Sequence, residues 1–259
     1  DYLVIGAGAF AMSFVDVLIA ESQATVIIVD SHVQPGGHWN DAYPFVRLHQ
    51  PSAFYGVHSR KLENGSDTSA RASKNELLAY FEAVMQGFLA SGRVQYFPMC
   101  RCSNIHERVF YSQVEPCNIY KVGQRAKIVD TTYMQISVPS TSMADERYEV
   151  LDGATVIPIN ELTKISSHEG NYVVIGAGKT GMDACSWLLK SNVCPERILW
   201  IMPRDSWILN REITLPDNLM ANAQFIPTSQ RAQTVDGLFL GLEEVGWLMR
   251  LDPSIMPAK

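Results

Sequence analysis

One strand–glycine turn–helix pattern occurs twice in this chain, and the repetition limits the possible folds more than any other feature. In the first copy, Tyr2-Leu3-Val4-Ile5 has the apolar, β-branched character of a short buried strand. Gly6-Ala7-Gly8-Ala9-Phe10-Ala11 follows directly, then a helical run to Glu21 and a second apolar strand, Ala24 to Val29, ending in Asp30. Gly6 permits the tight turn, Gly8 leaves room for a pyrophosphate to approach the backbone, and Ala11 is small enough for the helix to pack on the strand. The helix start offers unpaired N–H groups and the positive end of its dipole to phosphate. Asp30 stands 24 residues after Gly6, near the distance at which such units place a carboxylate that accepts from ribose hydroxyls.

In the second copy Tyr172-Val173-Val174-Ile175 leads into Gly176-Ala177-Gly178-Lys179-Thr180-Gly181 and a helical run from Met182 to Lys190. All three small positions are glycine, and Lys179 and Thr180 put a cation and a hydroxyl at the helix start. A lone glycine pattern also describes a strand–turn–helix without a ligand. The flanking strands, the acid and the repetition favour two dinucleotides held face to face. The second strand of this copy, Ile198 to Met202, lacks a terminal acid; Pro203 and Arg204 follow, Arg204 lying 28 residues after Gly176. A missing acid with a nearby arginine favours a 2′-phosphate, hence NADP(H) over NAD(H). The alternative is a solvated arginine beside Asp205.

At 259 residues the chain is long enough for two domains, and 47% hydrophobic with 19% charged residues describes a folded globular protein. A net charge of −6 without a dense Lys/Arg cluster argues against a nucleic-acid partner, and no apolar run reaches membrane-span length. Five cysteines without repeated spacing fit a reducing compartment, so a cytoplasmic location is expected. The chain opens on a strand without a methionine, which predicts no signal peptide and a piece of a longer protein.

After the first copy of the pattern, Ser31 to Leu62 is a long aperiodic segment containing Gln34-Pro35-Gly36-Gly37-His38-Trp39 and Tyr43-Pro44-Phe45-Val46-Arg47. Long loops of this kind are usually functional, and the aromatics either stack on a flat ring or fill the core. An acid ending strand two, then Gly-Gly-x-Trp, then Tyr-Pro and an Arg, resembles the FAD-binding domain of flavin-containing monooxygenases and their Baeyer–Villiger-type relatives. The resemblance implies that Asp30 binds the adenosine ribose and that Gly36, Gly37 and Trp39 lie along the flavin side of FAD. Leu48-His49-Gln50-Pro51 is similar to a family segment whose polar residue faces the isoalloxazine, which makes Gln50 and His49 the catalytic candidates. The expected fold is α/β: two Rossmann-like dinucleotide-binding units, residues 1–160 for FAD and 161–259 for NAD(P), with a small antiparallel β insert. The rest of the FAD domain is expected beyond residue 259.

Ser73-Lys74-Asn75-Glu76 is a capping box before a helix with Leu77, Leu78, Phe81, Val84, Met85, Phe88 and Leu89 on one face. Cys100 and Cys102 share a strand face and read as small apolar residues rather than a metal clip. Val109 to Tyr111, Asn118 to Val122 and Ala126 to Val129 read as the insert. In the resembling family a return strand ends in Ala-Thr-Gly; the nearest matches here are Asp130-Thr131-Thr132 and Ala154-Thr155-Val156. Pro139 to Arg147 reads as a polar surface loop. Asp205 to Arg211 reads as a loop and Val235 to Arg250 as a packing helix. The function these readings favour is an NADPH-using, FAD-dependent oxidoreductase, monooxygenase-like on a small organic substrate. A flavin reductase or dehydrogenase without oxygen insertion, and a redox-sensing nucleotide binder without turnover, remain as alternatives.

Overall fold

The computed structural model describes residues 1–62, 67, 69–132, 149–165, 170–203, 206–213, 215, 218 and 224–250. Two compact units emerge: Asp1–Leu48, Ser52–Asn64 and Arg71–Ser142 form one, and His49–Pro51, Gly65–Ala70 and Met143–Lys259 form the other. Among the described residues no helix is long and apolar enough to cross a membrane. Arg204 and the polar stretch from Pro139 to Arg147 lie outside the described residues.

In the first unit, β1 (Tyr2–Ile5), helix α1 (Ala9–Glu21) and β2 (Val26–Val29) form the expected βαβ. Helix α2 (Lys74–Ala90) leads to β3 (Val94–Phe97), and three short strands follow: β4 (Cys100–Asn104), β5 (Val109–Ser112) and β6 (Ile119–Lys121). A further strand, β7 (Lys127–Asp130), completes a parallel sheet in the order β3-β2-β1-β7.

The period of two along each strand divides the sheet's residues between its faces. Leu3, Ile5, Ile27, Val29, Phe97 and Ile128 pack against Cys100, Cys102, Phe110 and Val122 of the insert. On the other face the Tyr2 ring meets Phe14 of α1 at 5.8 Å. The two cysteines thus sit in apolar surroundings, as expected, and burial pushes both thiols up. The capping box also forms: the Ser73 N–H donates to Glu76 Oε2 at 2.7 Å, and the Glu76 N–H donates back to the Ser73 hydroxyl at 3.4 Å. Those bonds from Ser73 hold the Glu76 carboxyl below the ordinary range.

The insert differs from expectation. It consists of β4-β5-β6, antiparallel, with Phe110 stacked on Tyr120 at 5.0 Å. The segment read as its last strand is instead the return strand β7, running parallel to β1 from Tyr2↔Lys127 to Ile5↔Asp130. A four-residue apolar stretch looks the same in either sheet; only its pairing with residues 125 positions away distinguishes them. Of the two candidate turns after a return strand, Asp130-Thr131-Thr132 takes that place. Thr131 donates to the Ile5 carbonyl from both its N–H, at 3.0 Å, and its hydroxyl, at 2.7 Å. Ala154-Thr155-Val156 belongs to no strand.

In the second unit, β8 (Tyr172–Ile175), helix α3 (Lys179–Lys190) and β9 (Ile198–Ile201) repeat the βαβ, with β8 and β9 parallel. Two readings are corrected beyond it. Trp207–Leu209, expected in a loop, is strand β10, antiparallel to β11 (Leu248–Arg250). A short helix, α4 (Phe225–Arg231), precedes helix α5. The helix expected over residues 235–250 is shorter: α5 spans Val235–Glu244 and stops where Gly246 takes φ +79°. Left-handed backbone is open to glycine at little cost, and it turns the chain into β11. The turn buries Trp247 and Leu248 with Ile213 and Leu242.

Candidate functional site

The first glycine turn is assembled from three segments of the first unit. Gly6 has φ +98°, and a Cβ there would lie 2.5 Å from Thr131 Oγ1, so the turn after β7 closes on it. Gly8 is the N-cap of α1 in extended backbone, and the first helical bond runs from the Met12 N–H to the Gly8 carbonyl at 3.0 Å. The N–H groups of Ala9 to Ala11 therefore lack intrahelical acceptors. Ala11 is fully buried beneath the turn, as its small size predicts.

The third segment is the Gly-Gly loop. The Gly36 N–H donates to the Ala7 carbonyl at 2.8 Å. Gly37, at φ +53°, lies so close that a Cβ on it would stand 2.8 Å from the Gly8 Cα. A side chain at Gly37 would part the two backbones.

The long loop from Ser31 onward is fastened at several points. Lys74 Nζ donates to the carbonyls of Asn40 and Ala42 at 2.9 and 2.6 Å. Asp16, buried in α1, accepts from both the N–H and the hydroxyl of Ser59. Tyr80 accepts from the Val57 N–H at 2.7 Å and donates to the Arg60 carbonyl at 2.5 Å. Trp39 is 7% exposed, and its indole N–H donates to the Tyr55 hydroxyl at 2.7 Å. Its ring lies in the loop's own core, against Tyr55 and next to His38. Burial pushes the Tyr55 phenol up.

Asp30 occupies the strand end where the ribose carboxylate is expected, and it is already hydrogen-bonded within the chain. Its Oδ2 accepts from the Ala7 N–H at 2.5 Å and its Oδ1 from the His32 N–H at 2.7 Å. The His32 ring lies between two carboxylates, Nδ1 at 2.8 Å from Asp30 Oδ1 and Nε2 at 2.9 Å from Asp41 Oδ2. Sequence reading missed His32, Asp41 and Asp16. The only local signal was the Asp-x-His spacing, which permits a turn in which an Asp side chain accepts from the N–H two residues on.

The second turn is more open. Gly176 has φ +124°, and neither it nor Gly178, the N-cap of α3, would bring a Cβ within 4 Å of another group. Gly181 is different: a Cβ there would meet the Gly176 carbonyl oxygen at 2.3 Å. That carbonyl also accepts from Trp200 Nε1 at 2.8 Å. Thr180 is exposed at the helix start, while the Lys179 ammonium is paired with Asp183 one turn along. His49 and Gln50 are exposed and group with the second unit. Among the described residues no group of three or more His, Cys, Asp or Glu side chains could hold a metal ion.

Comparison with known protein families finds no match. Uncharacterized proteins of Mycobacterium tuberculosis (strain ATCC 25618 / H37Rv) and Mycobacterium bovis (strain ATCC BAA-935 / AF2122/97) are 44% identical over 274 residues, covering 100% of this chain and 50% of theirs. The chain spans about half the length of these curated relatives. A flavin-containing monooxygenase from Stenotrophomonas maltophilia superimposes with a TM-score of 0.55 at 17% identity, over 78% of this chain and 57% of its own. Over the matched span the chain shares the fold of that structure. A cyclohexanone monooxygenase from Rhodococcus sp. Phi1, solved bound to NADP+, matches with a TM-score of 0.52 at 17% identity, over 88% of this chain and 44% of its own. At this identity the likeness speaks for architecture: a parallel sheet with an antiparallel insert, followed by a second βαβ.

Proposed function

We propose that this chain is the cofactor-binding part of an FAD- and NADPH-dependent oxidoreductase, monooxygenase-like and acting on a small organic substrate. The observation that carries this reading is the seating of the Gly36-Gly37 backbone on Gly8, in a chain that repeats the dinucleotide turn with an open cradle at Gly176 and Gly178. The fold shared with flavin monooxygenases supports it.

On this reading the Ala9–Ala11 N–H groups and Gly8 receive the pyrophosphate of FAD, and Asp30 faces its adenosine ribose. Gly36, Gly37 and Trp39 shape the flavin side. Gly176, Gly178, Thr180 and Gly181 form the NADP(H) turn, with Lys179 available to phosphate once it leaves Asp183. FAD, when bound, would supply the hydride-accepting and electron-transfer chemistry between NADPH and oxygen or an organic acceptor. The protein's share is binding, orientation and exclusion of water; Gln50 and His49 are its candidates for contact with the isoalloxazine. The acidic net charge disfavours a nucleic-acid partner, and the unpatterned cysteines fit a reducing, cytoplasmic setting.

The test is an absorbance spectrum of the polypeptide carrying this chain, before and after NADPH. Flavin bands that bleach anaerobically on NADPH addition, with an oxygenated product once air is admitted, are the expected result. Bleaching followed only by peroxide release would assign a reductase or dehydrogenase. Flavin that NADPH does not bleach would assign a nucleotide-binding sensor.

Coenzyme choice gives a separate prediction. Arg204→Ala should weaken NADPH far more than NADH, since only NADPH carries the 2′-phosphate. One charge-assisted contact is worth about 1.5–3 kcal/mol, roughly ten- to a hundredfold in affinity. Equal losses for the two coenzymes in a titration would show that Arg204 does not read the phosphate.

A further inference from the structure

We propose that His32 is a positioning residue of the first dinucleotide site, its ring stapling Asp30, at the end of β2, to Asp41, at the far end of the Gly-Gly loop. The inference rests on the FAD reading of that site.

Both ring nitrogens face carboxylate oxygens, at 2.8 and 2.9 Å. An ionised carboxylate only accepts, so the geometry asks both nitrogens to donate, which is the imidazolium form. The Asp30 arm is sheltered, with Asp30 5% exposed; the Asp41 arm is open, with Asp41 56% exposed and subject to salt. Two consequences follow for the ligand. First, Asp30 Oδ1 takes two donors from His32 and Oδ2 takes one from Ala7, so the lone pair left on Oδ2 is the main acceptor for a ribose hydroxyl. Its direction is set by His32 and Ala7 rather than by the ligand. Second, the staple closes the segment from Val33 to Asn40, which carries Gly36 and Gly37 onto Gly8. Fixing the ends of that loop in advance lowers the ordering cost that a ligand would otherwise meet.

Asp30 and Asp41 face the ring itself; His38 and Lys74 face Asp41, and Tyr96 of β3 faces Asp30. The Asp30 hydrogen bond, opposed by burial and aided by Asp41, raises His32 from 6.5 to about 9. A raised folded value means that the staple contributes in full below pH 6.5 and is lost as pH rises through about 9.

The test is FAD affinity, followed by quenching of flavin fluorescence, for the full polypeptide carrying this chain as wild type, His32→Gln, Asp41→Asn and the double variant. His32→Gln should weaken FAD about tenfold near neutral pH, and Asp41→Asn about threefold. The double variant should match His32→Gln alone, because both act through one ring. Wild-type affinity should fall between about pH 7 and about pH 10, and that slope should vanish in His32→Gln. Equal affinity and an equal pH profile in His32→Gln, or losses that simply add in the double variant, would overturn the staple. A wild-type full polypeptide that takes no FAD overturns the FAD reading instead. The staple is then decided on the ligand-free chain by NMR titration of His32: a raised midpoint that drops in Asp41→Asn upholds it, and an ordinary histidine midpoint refutes it.

Discussion

Gly37→Ala should yield a folded chain that no longer retains FAD. The added Cβ would stand 2.8 Å from the Gly8 Cα, a backbone atom with no rotamer through which to yield. To reach the 3.4 Å edge of ordinary contact the two backbones must part by about 0.6 Å. The Gly36–Ala7 hydrogen bond, at 2.8 Å, resists that parting. Alanine at φ +53° adds about 1–2 kcal/mol of backbone strain, and the overlap about 1–3 kcal/mol. A turn displaced by that much no longer presents its N–H groups ready-placed to a pyrophosphate, so flavin should be lost during purification while secondary structure survives. Gly87→Ala is the control. Gly87 is exposed on α2 with no group within 4 Å of a Cβ, so alanine there should stabilise by about 0.5–1 kcal/mol and leave FAD untouched. Stoichiometric FAD in purified Gly37→Ala would refute the assignment of this loop to the flavin site.

The contrast between these glycines shows what a sequence can and cannot disclose. Spacing alone marked Gly6, Gly8 and Ala11, because a turn followed at once by a helix allows few residue types, and all three stand where expected. The apolar face of α2 was equally legible, since seventeen residues give several turns of periodicity. Asp30 was found by its position at a strand end. Its bonds to Ala7 and His32 were not, because they depend on how the following loop folds back. The Asp16–Ser59 tie spans 43 residues and leaves no local pattern. Strands of three or four residues were the weakest point. In sequence β7 looks like part of the insert and β10 like loop, since so few residues carry no period and partners far along the chain decide their pairing. The Gly-Gly loop's contact with Gly8 had no signature beyond the glycines themselves.

Gly181→Ala and Gly178→Ala should fail in opposite ways, and the difference separates a fold glycine from a ligand glycine. The Cβ of Gly181→Ala would lie 2.3 Å from the Gly176 carbonyl oxygen and 3.3 Å from its carbon. Helix α3 must then lift from the turn, or the carbonyl must swing away from Trp200 Nε1, which donates to it at 2.8 Å. Overpacking of about 1–3 kcal/mol plus a lost hydrogen bond of about 1 kcal/mol gives a destabilisation of roughly 2–4 kcal/mol. Thermal unfolding of the second unit should fall by several degrees before any ligand is added. Gly178→Ala meets nothing within 4 Å and has no positive φ, so its fold and unfolding temperature should stay close to wild type. If the open space over Gly178 is where a pyrophosphate approaches the helix start, a methyl there keeps it at a distance. NADP(H) affinity should then fall on the order of a hundredfold with stability unchanged. Calorimetry on the ligand-free variants and coenzyme titration on the same samples decide the matter. Unchanged NADP(H) binding by a folded Gly178→Ala would remove the second turn from the coenzyme site, and an undiminished unfolding temperature for Gly181→Ala would show that α3 does not pack as closely as described.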